Sequence, residues 1–65
     1  MNIDTEIARY EILNEIEDIE HEESKIFKRA RKHGNMLTFK EWKILEVLID
    51  RKEQLNKQLE DLNLT

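Results

Sequence analysis

Gly34-Asn35-Met36-Leu37-Thr38-Phe39-Lys40-Glu41-Trp42 holds the signals for one helix to stop and another to start. Thr38 and Glu41 stand three residues apart, the spacing of a capping box. The Thr38 hydroxyl can accept from the Glu41 amide, and the Glu41 carboxylate can accept from the Thr38 amide. Leu37 precedes the cap and Trp42 takes the fourth helical position, which makes them the two ends of a hydrophobic staple. Trp42 is expected to close the turn end over Ala30 and Ile26, the small Ala30 leaving room for the indole. Phe39 beside it offers a second reading, an exposed aromatic pair for recognition. Gly34 follows Lys28, Arg29, Arg31 and Lys32. Cations suit the last turn of a helix, and a glycine just beyond it can take the left-handed conformation that closes the helix.

Working outward, residues 4–33 read as the first helix, 34–37 as the turn and 38–63 as the second helix. In the first, Ile12, Ile16, Ile19, Ile26 and Ala30 follow one face in steps of four and three, with Glu23 in the one missing slot. Asn2 or Asp4 can cap its start, where Glu6 also suits the helix dipole. In the second, Leu45, Leu48, Leu55, Leu59 and Leu62 repeat in heptad spacing, with Lys52 in the missing slot. A link this short forces antiparallel neighbours. Centring the turn between Asn35 and Met36 pairs Ile26 with Leu45, Ile19 with Lys52, Ile16 with Leu55 and Ile12 with Leu59. The whole chain is thus one all-α domain, a two-helix antiparallel hairpin.

Composition agrees. Among 65 residues there is no cysteine or proline and only one glycine, too little punctuation for a sheet or a disulfide-stapled fold. Charged residues make up 40% of the chain, as in long amphipathic helices. No apolar run approaches the length of a membrane span or a secretory leader, which points to the cytoplasm.

A chain this short rarely builds an adequate core alone. Leu13, Phe27, Trp42 and Ile49 flank the stripes and widen them beyond a two-helix seam. A lone hairpin is expected to leave much of Ile12, Ile16, Leu55 and Leu59 wet. Dimerisation into a four-helix bundle follows, with Ile12, Ile16, Ile19, Glu23, Ile26, Leu45, Leu48, Lys52, Leu55, Leu59 and Leu62 as the self-association set. Glu23 and Lys52 interrupt the stripes either as long side chains reaching to the edge or as a register device, Glu23 of one chain near Lys52 of the other. Ile3, Ile7 and Tyr10 lie roughly 180° around the helix from Ile12 and Ile19. Either the first turns break from the main helix, or they present a second apolar surface.

The charges are polarised. The stretch 11–23 holds seven acids and no Lys or Arg, and 25–32 holds five bases and no acid. Such a chain could pair head to tail with its own copy. Lys25, Lys28, Arg29, Arg31 and Lys32 could also contact an anion or a protein partner, or bind nucleic acid. The net charge of −4 argues against nucleic acid in general. Asp18, Glu20, His21, Glu22 and Glu23 suggest a metal site, but Asp18 and His21 point away from the apolar face, so a solvated acidic face is the expectation and no metal or other cofactor is assigned. No nucleophile–base pair, phosphate-cradling glycine loop or Cys/His set is present, so no catalytic residue is assigned and no enzyme is expected.

Leu37, Leu45, Ile49 and Asp50 fall at spacings that resemble the second helix of the small sporulation aspartyl-phosphate phosphatases, themselves helical hairpins. The likeness spans about a fifth of the chain. That family's Ser-Gln pair would fall at Glu46 and Val47, so the signature is broken. The expected function is a non-enzymatic helical interaction module, a homodimer that meets a further protein. Small regulatory and accessory proteins of bacteria and phages are often hairpins of this kind, an analogy of fold alone.

Overall fold

The computed structural model describes residues 3–64 and consists of two helices, α1 (Ile3–Lys32) and α2 (Phe39–Leu64), packed as a hairpin. It measures 49 × 15 × 13 Å. A helix of α1's length spans about 45 Å, so the hairpin is one long helix with a second folded back along it. Asn2 lies outside the described residues.

The turn forms from the residues that encode it. The Asn35 amide donates to the Ala30 carbonyl at 2.8 Å, the six-to-one bond of a Schellman motif. Gly34 and Asn35 take φ values of +76° and +63°. Glycine reaches that region freely, and asparagine tolerates it better than most residues. Thr38 then caps α2. The Glu41 amide donates to Thr38 Oγ1 at 3.1 Å, and the Thr38 amide donates to Glu41 Oε1 at 3.0 Å. Helical backbone therefore starts one residue after the cap, at Phe39.

The two apolar stripes meet in one seam. Ile19, Ile26 and Ala30 of α1 and Leu45 and Leu55 of α2 are buried. Ile12, Ile16, Leu48, Leu59 and Leu62 are half-buried beside them. The expectation that Leu55 stays wet in a single hairpin is wrong: it is the most buried side chain, at 1% exposure. Arg51 and Lys52, one turn earlier on α2, cross the seam to Glu15 and Glu23 and carry their apolar stems with them. The Glu15–Arg51 and Glu23–Lys52 pairs are displaced in opposite directions from the level pairing of Ile19 with Lys52.

The start of α1 does not break away. The helix is continuous from Ile3, and Ile3, Ile7 and Tyr10 stand 70%, 52% and 67% exposed. The three form a second apolar surface on the side of α1 turned from the seam.

Candidate functional site: an apolar groove beside the turn

The capping box sets where α2 begins, and burial of Leu45 and Leu55 sets which side of it faces α1. From Phe39, steps of three, four and three lead to Trp42, Glu46 and Ile49, a second stripe that runs beside the seam. Phe27 of α1 rises next to it. Phe27, Leu37, Phe39, Trp42, Leu45 and Ile49, with Lys43 and Glu46, enclose a groove of ≈440 Å³. Leu45 is its buried floor, whereas Phe27, Ile49, Trp42 and Phe39 are 48%, 47%, 60% and 77% exposed. Lys43 donates to Glu46 at 3.5 Å and lies 5.5 Å from the Phe39 ring centre, a weak cation–π contact at an exposed site. The groove is thus apolar, with one cation and one anion that largely neutralise each other.

Trp42, at 60% exposure, is not the buried closing residue expected at the turn end. The heptad that carries Leu45 and Leu48 reaches back to Glu41, one turn before Leu45, and leaves Trp42 on the flank. Trp42 and Leu37, the two ends of the expected staple, line the same groove. Glu41 is half-buried, and its Oε2 is shielded from solvent without a hydrogen bond. The Thr38 amide is the main reason the Glu41 carboxyl lies below its usual pKa. The Thr38 side chain, Arg29 and His33 act in the same direction, against desolvation.

The residues expected to associate between copies sit largely inside one chain. Glu23 and Lys52 are the clearest case: Lys52 Nζ lies 2.8 Å from Glu23 Oε1 of the same chain. Their side chains are 13% and 28% exposed, respectively. On the groove side the wet apolar surface belongs to the flanking residues Leu13, Phe27, Trp42 and Ile49, joined by Phe39; Ile44 and Val47 are exposed on the other side of α2. The three-four-three spacing of Phe39, Trp42, Glu46 and Ile49 is the signal that a heptad reading passes over.

The five cations 25, 28, 29, 31 and 32 do come together and line one shallow depression of ≈550 Å³. Lys25 pairs with Glu22 at 3.5 Å. Among the described residues, Lys28, Arg29, Arg31 and Lys32 make no ion pair. Glu17, Asp18, Glu20, His21 and Ser24 line a separate acidic hollow further along the same helix. Among the described residues, no three His, Asp or Glu side chains converge as a metal site would require. Among the described residues, no helix is long and apolar enough to cross a membrane. No protein-family model matches the chain, and comparison with curated proteins and with solved structures gives no match either.

Proposed function

We propose that the chain is a non-enzymatic helical interaction module that works as a cytoplasmic homodimer and uses its charged faces to meet a further protein. The observation that carries this reading is the imbalance between core and flank. Only five side chains among the described residues are buried apolar core, while Leu13, Phe27, Trp42 and Ile49 lie beside them 47–60% exposed. Large aromatic side chains are costly to leave in water and are enriched where proteins meet. A second copy covers such a flank at no cost in new sequence, because the same residues serve both sides. Sedimentation equilibrium at micromolar concentration tests the proposal. The expected result is a dimer mass, with a melting temperature that rises with protein concentration. A folded monomer whose melting temperature is independent of concentration would remove it.

One observation favours a second reading, nucleic-acid binding. Five cations share one depression, and among the described residues four of them make no ion pair. The acidic net charge works against it, so binding by this route is weak and steeply dependent on salt.

A further inference from the structure

The exposed apolar flank does not run the whole length of the hairpin. Phe27, Phe39, Trp42 and Ile49 all lie in the half next to the turn. Toward the open end the same flank of α2 continues as Glu53, Asn56 and Glu60. There Leu13 stands apart from the groove.

We propose that the occupant of the groove is the same groove of a second copy, in a two-fold dimer whose turns lie at the same end. This rests on the reading of the chain as a homodimer, and adds the contact surface and its orientation.

Two symmetric arrangements can lay this flank of one hairpin on that of another. A two-fold axis along the helices sets α1 of one copy on α2 of the other, with the turns together. It aligns the apolar half with the apolar half. An axis across the helices sets α1 on α1, with the turns at opposite ends. It places Phe39 and Trp42 of each copy over the polar stretch that holds Glu53, Asn56 and Glu60.

Charge alone favours the second arrangement when Met36 of each copy lies level with Asp61 of the other, since residues 13–20 of the acidic run then oppose the basic run 25–32. Those side chains are largely solvent-exposed. Exposed ion pairs contribute little beside the removal of a tryptophan and two phenylalanines from water. The first arrangement also carries no charge penalty. The α2 stretch level with the basic run, 39–46, holds Lys40, Glu41, Lys43 and Glu46 and is electrically neutral. Glu46, a groove residue, then faces the end of α1 that carries Lys28 and Arg31. Burial decides for the turns together.

The chain has no cysteine, so single labelling sites can be introduced without other changes. Nitroxide labels on Met36→Cys at the turn, and separately on Asp61→Cys at the open end, are read by double electron–electron resonance. Turns together predicts that both label pairs lie within about 25 Å, the width of two packed hairpins. Turns opposite predicts both pairs on the order of 35–40 Å apart, and that result overturns the orientation. Trp42→Glu is expected to weaken dimerisation at least about 100-fold while the chain stays helical, because Trp42 lies outside the seam. Phe39→Glu, at a still more exposed position, serves if the first variant fails to fold. Val47→Glu, exposed on the other side of α2 and outside the groove, is expected to change the dimerisation constant less than about threefold. A dimer indifferent to both aromatic substitutions overturns the surface and leaves the homodimer standing. A monomeric parent chain overturns both.

Discussion

Glu23 and Lys52 occupy the two charged slots in the apolar stripes, and they meet each other at 2.8 Å within one chain. In the register set by the turn, Glu23 is level with Leu48, about one turn from Lys52. Helical side chains lean toward the N-terminus of their own helix. In antiparallel helices these two therefore lean toward each other, and the offset closes. The pair removes the need for a partner copy to satisfy either charge.

Breaking this pair destabilises the hairpin more than removing it. Glu23→Ala leaves a part-buried ammonium without its partner, and is expected to cost about 1–3 kcal/mol. The double substitution Glu23→Leu with Lys52→Leu is expected to match or exceed the stability of the parent chain, since leucine continues both stripes. Urea midpoints of the single and double variants decide this. A double variant weaker than Glu23→Ala would show that the ion pair stabilises the seam on balance.

Thr38→Ala is expected to destabilise the chain by ~0.5–2 kcal/mol, because an amide at the start of α2 loses its acceptor. The effect is measured by urea denaturation at neutral pH. An unchanged midpoint would mean that α2 is held by the seam alone.

The same capping box makes stability depend on pH. The Glu41 carboxyl has a lower pKa folded than unfolded, chiefly through the Thr38 amide. Its contribution is therefore fully present above the ordinary carboxylate range, and is lost as pH falls through and below that range. The parent chain is expected to lose more stability than Glu41→Gln on passing from pH 6 to pH 3, where other carboxylates titrate in both. Parallel pH titrations of the two denaturation midpoints would expose Glu41; identical slopes would exclude it.

Gly34→Ala is expected to cost about 1 kcal/mol. Nothing lies within 4 Å of the site a Cβ would take, so the loss reflects the left-handed backbone at φ +76° and not a clash. Asn35→Gly, at φ +63°, is expected to be neutral or slightly stabilising. Thermal melts at one fixed concentration compare the two. A Gly34→Ala melt equal to that of the parent would mean the turn can relax.

Replacing Arg29, Arg31 and Lys32 by Ala is expected to leave the fold intact, since all three are exposed. Mobility-shift titration of the parent chain at physiological salt is expected to show no sub-micromolar affinity for nucleic acid. Tight binding that this triple variant abolishes would favour the nucleic-acid reading over the interaction module.

Much of the fold is legible in the sequence. Gly34, Thr38 and Glu41 act through their immediate neighbours, so the sequence shows their partners directly. The two apolar stripes are equally local, since helical periodicity brings their members to one face. Trp42 was legible both as a staple residue and as half of an exposed aromatic pair with Phe39, and its 60% exposure favours the second reading. Counting back through the heptad from Leu45 reaches Glu41 first, and that step alone moves the indole to the flank. Leu55 was misjudged for a different reason. Its burial at 1% exposure depends on how closely α1 packs along α2, which no local pattern carries.

The sequence by itself determined the two helices, the turn that reverses them and the faces that meet, because each rests on residues within a few positions of one another. Tertiary structure alone decided which flanking side chains stay wet and which charges pair. Those outcomes depend on the axial offset of two antiparallel helices and the lean of their side chains, quantities no local pattern carries. The offset lets Glu23 reach Lys52, while the azimuth of α2 leaves Phe39, Trp42 and Ile49 facing out beside the seam.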